Sequence, residues 1–450
     1  MRGRTRFAGA AFVLMAQLMG AGAARAAAQG PAPYRLSLQD AIEKALAANV
    51  NGLVAGARVE EAEGTRMRRD SAWRLPRVSL QSYANSQNRN LRAFGISFPG
   101  TPDVVGPFSN YDFRVYAQQN LIDRASAHGV KAAERTLEAD KLDVQDARDQ
   151  IVRLTAGLYL NGEAAAARVE AAQSRVRDAD ALLKLARDRH DAGTATGVDV
   201  LRAEVQRAND RQALLLAQNQ LRQGLLELAR DLGMSPGTPL ELGEALRFEP
   251  LTQAGVESLA ESALAERADY RSLASQRQSL EEQQKANHAR WLPKLSVNGN
   301  YGGIGRSLGG IKGTGLIQGQ VDFTLFDRDR DGEAVELASR RKALEDRIAD
   351  LKRGVEEEIR EALLNLDSAA EQVSVAAEGQ QLARRELELA QDRFDQGRAN
   401  NVEVVTAQDE LARAEENYIV AVSSHVDAKF ALARALGDTA RNIARFAGGK

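Results

Sequence analysis

An internal duplication governs the organisation of this chain. The stretch "DRHDAGTATGVDVL", Asp188 to Leu201, returns as "DRFDQGRANNVEVV", Asp392 to Val405, at an offset of 204 residues. The same offset relates "NLIDR" to "TLFDR", "LYLN" to "ALLN" and "ARDLG" to "ARALG". Upstream, "WRLPRVSL" matches "RWLPKLSV" at an offset of 217, so the first copy carries an insertion of 13 residues. A tandem repeat of this length predicts one architecture built twice.

Proline is missing from two long parts of the sequence, between Pro107 and Pro236 and after Pro293. Because proline removes a helical hydrogen bond, its absence permits very long helices. Apolar residues recur there at seven-residue and 3-4 spacings, which are typical of packed coiled-coil helices. We predict two long helices, Asp123–Asp191 and Asp327–Asp395, each about 100 Å long at 1.5 Å per residue. Shorter helices are predicted at Leu38–Arg74, Val198–Leu232, Val256–Trp291 and Val402–Leu436.

The segments between the helices alternate polar and apolar residues, as β-strands do. Four strands of about ten residues are predicted, within "VSLQSYAN", "YDFRVYAQQNLI", "LSVNGNYGG" and "LIQGQVDFTLF". Of the 22 aromatic residues, 12 lie within Trp73–Leu121 or Trp291–Phe326. Alternation with aromatic enrichment is typical of outer-membrane strands. A soluble hairpin that caps a coiled coil is the alternative interpretation.

The amino terminus has the pattern of a secretory signal peptide. Arginines at positions 2, 4 and 6 precede an apolar run, and small residues up to Ala28 offer cleavage sites. We therefore predict a signal peptide over residues 1–28. No later apolar run reaches the roughly 20 residues that a membrane-spanning helix needs. Any membrane crossing would be made by strands, and because four strands cannot close a barrel, several copies of the chain would have to share one.

Composition and motifs exclude several classes of function. With 60 basic and 62 acidic residues, the chain has no basic surplus that would attract nucleic acid. It has no cysteine, which excludes disulfides, thiolate metal sites and cysteine nucleophiles. The calcium-loop start "DRDRDG" lacks its glutamate, because Ala338 occupies that position. No other set of residues suggests catalysis, a metal or a cofactor, so we do not expect an enzyme.

The duplication divides the chain into segments. We predict a signal peptide over residues 1–28, a first repeat over 29–250, a second repeat over 251–437 and a C-terminal tail over 438–450. Strands are expected at about 76–121 and 293–326, and helical hairpins at about 123–232 and 327–436. Each repeat reads as helix, strand, strand, long helix, turn and helix, which is a mainly α fold with a small β part.

In this order and spacing, the chain resembles the TolC-like outer membrane efflux protein (outer membrane factor) family. The resemblance rests on the signal peptide, the tandem halves, "WRLPRVSL" and "RWLPKLSV" before the strands, and the turns "DAGTATGVDVL" and "DQGRANNVEVV". It implies a homotrimer with an α-helical tunnel in the periplasm, a C-terminal tail in an equatorial belt and a shared twelve-stranded β-barrel in outer-membrane lipid. It also implies passive transport through the exit duct of a tripartite efflux pump or type I secretion system, driven by an inner-membrane pump and joined by a periplasmic adaptor (membrane fusion) protein.

The resemblance further implies two kinds of site. The adaptor would dock at the hairpin turns, on Gly193, Thr194, Gly397 and Arg398. Acidic rings after the second turn would act as a pore gate, which places the first ring at Glu403, while the second position, Thr406, is not acidic. Asp199 is the equivalent of Glu403 in the first repeat. Three carboxylates close to an axis repel one another and attract cations. The alternative is a solvated carboxylate in the first turn of a helix, where the helix dipole favours it.

Two other functions share parts of the pattern. A soluble periplasmic coiled-coil scaffold needs the helical ladders but not the aromatic, alternating strands. An exported hydrolase fits the signal peptide but lacks a catalytic set.

Overall fold

The computed structural model describes residues 34–243, 247–251, 256–399, 401–437 and 439. The predicted signal peptide and nearly all of the predicted tail lie outside these residues. The described elements are, in chain order, β1 (Tyr34–Leu36), α1 (Leu38–Ala48), α2 (Val50–Arg74), β2 (Arg77–Asn90), β3 (Val104–Ile122), α3 (Arg124–Asp191), α4 (Gly197–Asp231), β4 (Leu240–Leu242), α5 (Val256–Glu266), α6 (Ala268–Ala289), β5 (Lys294–Gly305), β6 (Lys312–Asp322), α7 (Arg328–Asp395) and α8 (Asn401–Ala435).

The predicted fold class is confirmed, because the described elements repeat the order helix, strand, strand, long helix, turn and helix. The long helices α3 and α7 have 68 residues each, and α4 and α8 have 35 each. Both long helices begin one residue after an aspartate whose side chain caps them. Asp123 Oδ1 accepts the backbone N–H of Ser126 at 3.0 Å, and Asp327 Oδ1 accepts that of Arg330 at 3.4 Å.

Two of the predicted short helices are wrong in one respect, since each is divided in two. The backbone is extended at Asn49, between α1 and α2, and at Arg267, between α5 and α6. The Asn49 side chain accepts the N–H of Asn51 at 2.9 Å and donates to Asp231 at 2.8 Å. Arg267 is buried and holds Asp269 through two hydrogen bonds of 3.0 and 2.7 Å. At both breaks, hydrogen bonds from these side chains take the place of the helical backbone bonds that are interrupted.

Contacts divide the chain into two compact units. Unit 2 comprises Val54–Asp146 and Leu264–Val355, and unit 1 comprises the other segments. Each unit therefore takes segments from both sequence repeats, and the predicted repeat boundaries, 29–250 and 251–437, stay a prediction. The main core of unit 1 joins α1, α3, α4 and α8 around fully buried Tyr159 and Phe430. Unit 1 also contains the short parallel pair β1–β4. The Leu36 carbonyl in β1 accepts a hydrogen bond from the Tyr159 hydroxyl at 3.0 Å.

Unit 2 contains an antiparallel four-stranded sheet in the order β2-β3-β5-β6. The first hairpin pairs strands of 14 and 19 residues, whereas the second pairs strands of 12 and 11. The insertion seen in the first repeat therefore lengthens a hairpin, and β2 and β3 exceed the predicted ten residues. In contrast, β6 ends at Asp322 rather than at the predicted Phe326, because its partner β5 begins opposite Asp322, at Lys294.

Candidate functional site

The first predicted docking turn joins α3 to α4 and has a left-handed glycine at its centre. Gly193 has a φ of 75°, and its N–H donates to the His190 carbonyl at 2.9 Å. The N–H of Thr194 reaches back to the Arg189 carbonyl at 2.9 Å. These two bonds are those of a Schellman motif, in which glycine avoids the steric cost that a Cβ would add at positive φ.

The second turn, between α7 and α8, repeats the first in detail. Gly397 has a φ of 68° and donates to the Phe394 carbonyl at 3.0 Å, and the N–H of Arg398 donates to the Arg393 carbonyl at 2.8 Å. Gly193, Thr194, Gly397 and Arg398 are all exposed. Both turns are therefore available to a partner, although contact with an adaptor stays a prediction.

Arg189 joins the two turns within one chain. Its guanidinium donates to the Phe394 carbonyl and to the Asp395 carbonyl, the latter at 2.7 Å, and it stacks over the Phe394 ring at 4.3 Å. Nearby, the Asn401 side chain donates to the Asp199 carbonyl at 3.0 Å. A cation at the last carbonyls of α7 meets the negative end of the helix dipole, so this contact stabilises the paired arrangement of the turns.

The predicted gate residue Asp199 has a structural task in the single chain. It forms a capping box with Thr196, whose N–H and hydroxyl donate to Asp199 Oδ2 at 3.0 and 2.7 Å. The Thr196 hydrogen bonds lower the pKa of this carboxyl below the ordinary value for aspartate. Its side chain is only 18% exposed. These contacts place Asp199 in the first turn of α4 as a helix-capping carboxylate that is mostly shielded from solvent.

Glu403, the other predicted gate residue, is placed differently. Its side chain is 45% exposed, and its Oε2 lies 3.5 Å from Arg393 Nε. The residue equivalent to Thr196 is Asn400, which lies outside the described residues. The duplication thus produces two acidic positions of unequal exposure: Asp199 takes part in a helix cap, and Glu403 is the more exposed and lies beside an arginine. A gate at either position stays a prediction.

The sheet of unit 2 has one polar and one apolar face. Register places Gln81, Arg114 and Thr314 on one face, where Arg114 and the hydroxyl of Tyr83 both donate to Asp112. The opposite face is apolar and consists of exposed residues from all four strands, among them Val78, Leu80, Phe113, Val115, Tyr301, Ile317 and Val321. An apolar face of this extent without cover in the chain needs an apolar environment or a partner.

The sequence matches the family model described as outer membrane efflux protein over residues 41–234 and 259–438. The chain belongs to the outer membrane efflux protein family. It is similar to the pyoverdine export outer membrane protein OpmQ of Pseudomonas aeruginosa, with 24% identity over 380 residues that cover 81% of this chain and 77% of OpmQ.

Solved structures of outer-membrane channels share the fold. The outer membrane protein VceC from Vibrio cholerae superposes with a TM-score of 0.75 at 20% identity, covering 89% of this chain and 96% of VceC. The CmeC outer membrane channel of Campylobacter jejuni gives a TM-score of 0.75 at 18% identity, covering 91% and 89% of the two chains. These likenesses confirm the mainly α fold with its small β part.

Membership of the outer membrane efflux protein family settles the cellular location and the class of protein. The predicted location, the outer membrane with a periplasmic extension, is confirmed. The family and its structural neighbours are channels rather than enzymes. The outer-membrane location does not fit the soluble periplasmic scaffold. Over the described residues, no helix combines the length and apolar character that crossing a membrane demands. Nor do these residues contain a cluster of histidine and acidic side chains able to hold a metal.

The sequence did not reveal the role of Arg189. Its partners are backbone carbonyls 205 and 206 residues away, which leave no mark on residue type or spacing. A comparison of the repeats offers a weak signal, because arginine stands at both Arg189 and Arg393 while the next residue changes from His190 to Phe394. Only Phe394 provides the ring on which the Arg189 guanidinium lies.

Proposed function

We propose that three copies of this chain form an outer-membrane channel-tunnel that acts as the exit duct of a tripartite efflux pump or type I secretion system. Transport through the duct is passive and is driven by an inner-membrane partner. A periplasmic adaptor connects that partner to the hairpin turns.

The two-faced sheet carries this proposal. Its apolar face suits contact with lipid, and its polar face suits a water-filled lumen, which is the alternation found in outer-membrane strands. The edge strands β2 and β6 each have one unpaired side in the single chain. In lipid, every unpaired backbone group costs several kcal/mol, so the edges have to pair with other copies. Three copies supply twelve strands, above the minimum of about eight for a closed barrel.

The helices support assembly in the same way. Large apolar side chains are exposed on α4 and α7, in positions that the rest of the chain does not cover: Leu201, Val205, Leu216, Leu364, Leu382 and Leu389. Exposed apolar stripes on water-facing helices are a sign of helix packing between subunits. A trimer would bury them without further change in the chain.

At the turns, we propose two tasks. The exposed residues Gly193, Thr194, Gly397 and Arg398 form the surface to which the adaptor binds. Glu403 supplies the pore gate, because its side chain is 45% exposed, whereas that of Asp199 is 18% exposed. Asp199 contributes less to a gate, since two hydrogen bonds from Thr196 already hold it. Three copies of Glu403 near one axis would attract cations and disfavour anions.

Light scattering and planar-bilayer recording test the proposal on the purified chain. We expect the mass of a trimer in detergent and a stable conductance in the bilayer. Glu403→Gln is expected to lower cation selectivity. The matched control is Glu410→Gln, which makes the same change seven residues further along α8, at a side chain paired with Arg413. A monomer without conductance would contradict the channel, and equal selectivity in both variants would contradict the gate at Glu403 alone.

A further inference from the structure

A small polar cavity lies among α3, α4, α7 and α8, about 20 Å along the helices from the turns. It has a volume of about 20 Å³. Charged or amide side chains make up most of its lining, chiefly Arg175, Asp178, Gln206, Asp210 and Gln408. We call Asp178, Asp210, Gln408 and the neighbouring Glu415 the buried polar layer. It interrupts a helix interface that is otherwise apolar, with Leu387 and Leu411 at its border.

Gln408 places polar atoms without a partner at the wall of this cavity. Its side chain is only 7% exposed, and neither its Oε1 nor its Nε2 has a hydrogen-bond partner among the described residues. Arg175 Nε is also buried and has no hydrogen-bond partner among the described residues. Leaving such groups unsatisfied in a buried site is unfavourable. The cavity volume and its polar lining suit one water molecule, which requires at least about 10–15 Å³ and two or more polar partners.

Three carboxyl groups of the layer share one electrostatic property. Burial raises the pKa values of Asp178, Asp210 and Glu415 above their ordinary ranges. Asp210, on α4, is 8% exposed, and its only described hydrogen bond is a long one of 3.4 Å from Gln206.

Other charges face the layer from each helix packed against it. Arg175 on α3 lowers the pKa values of Asp210 and Glu415, and Arg384 on α7 lowers that of Glu415. Asp409 on α8 raises that of Asp210, whereas Arg177 lowers that of Asp178. The burial effect is the largest in all three groups, so the arginines do not cancel it.

We propose that the buried polar layer is a proton-linked coupling between the two helical hairpins of one chain. A buried water bridges Gln408, Arg175 and Asp210, and proton uptake by the carboxyl groups tightens the packing of α4 against α8. The Gln206 amide, which donates to both Asp210 on α4 and Asp409 on α8 at 3.4 Å, already spans the two helices.

The direction of the effect follows from linkage. A carboxyl whose pKa is higher in the packed state than in the separated state takes up protons on packing. Its contribution to packing is complete at pH values below its ordinary range and is lost as the pH rises through the raised value. The hairpins are therefore held more tightly as the pH falls towards the ordinary carboxyl range than in neutral solution. This pH dependence concerns the packing of two hairpins within one chain, so it can be measured independently of export activity.

Amide hydrogen exchange of the intact, detergent-purified protein tests the coupling. Protection of α4 residues 203–212 and α8 residues 404–415 is measured from the ordinary carboxyl range, about pH 4, up to about pH 8, after correction for intrinsic exchange rates. In the wild type, protection is expected to fall several-fold as the pH rises. Asp210→Asn, which mimics the protonated group, is expected to weaken this dependence and to keep higher protection than the wild type at neutral pH. Hydrogen exchange of amides elsewhere in α3, measured by pulse labelling, reports whether the variant remains folded.

Asp180→Asn is the matched control, because this exposed α3 carboxylate pairs with Arg207 of α4 outside the cavity. It should retain the pH dependence of the wild type. If Asp210→Asn fails to fold, Glu415→Gln should reduce the dependence in part. Protection that is independent of pH in the wild type, or unchanged dependence in the Asp210 or Glu415 variant, would overturn the proposal. So would a dry cavity in a crystal structure that resolves other buried waters.

Discussion

The apolar face of the sheet makes the sharpest prediction, through two neighbouring residues of β6. Ile317 is the sixth of the eleven residues of this strand, at its midpoint, and its side chain is 85% exposed on the apolar face. Gln318 follows it and lies on the polar face, opposite Asn298. We expect Ile317→Arg to prevent stable insertion into the membrane, whereas Gln318→Arg, with the same charge at the same depth, should insert.

The magnitude follows from the depth of Ile317. Arginine on the lipid face of a membrane strand costs about 2–4 kcal/mol at the bilayer midplane and falls towards zero near the interfaces. This range corresponds to a roughly 30- to 700-fold shift in the folding equilibrium of each chain. In a trimer the cost applies three times. Gln318→Arg meets amide neighbours and water instead, so its expected cost is below about 0.5 kcal/mol.

Refolding into lipid vesicles measures both variants. Urea titrations give the free energy of unfolding, and fractionation of expressing cells gives the share of protein in the outer membrane. Ile317→Leu serves as a control for the loss of the isoleucine shape. Equal losses for Ile317→Arg and Gln318→Arg, or full insertion of Ile317→Arg, would refute the assignment of the apolar face to lipid.

The turns supply two further predictions. Gly397→Ala should lower the thermal unfolding midpoint, at a cost of about 1 kcal/mol, because Gly397 has a φ of 68°, whereas Gly379→Ala inside α7, with open space around it, should raise the midpoint. Midpoints that move in the same direction would contradict this reasoning. Arg189→Lys keeps the charge but loses the planar contacts to the α7 carbonyls, so amide exchange at residues 193–197 should accelerate. Arg393→Lys, at the equivalent and 58% exposed position, should leave that exchange unchanged.

Local patterns in the sequence were sufficient for much of the fold. The absence of proline and the coiled-coil spacing placed α3 and α7 within one residue of their observed bounds. Glycine at the C′ position of each long helix, Gly193 and Gly397, marked both turns. These features are local, since a missing ring, a missing Cβ or a seven-residue period acts within a few residues of its own position.

The short helices show where local patterns fail. Asn49 and Arg267 stand inside continuous helical patterns, yet the helices end at both. The partner of Asn49 is Asp231, which is 182 residues away. Asp210 is a similar case, because it occurs one heptad after Ala203, at a position where an apolar residue is expected. The spacing of apolar residues did not reveal the cavity that Asp210 lines.

The sequence by itself determined the duplication, the lengths of the long helices, the positions of the turns and the alternation of the strands, because each depends on residues close together in the chain. Only the tertiary structure decided how the two copies differ. It gives the equivalent acids Asp199 and Glu403 different exposures, 18% and 45% of the side chain, and it turns Arg189 towards the carbonyls of α7. These outcomes depend on backbone groups and packed side chains some 200 residues apart, and packing rather than residue type determines which of them meet.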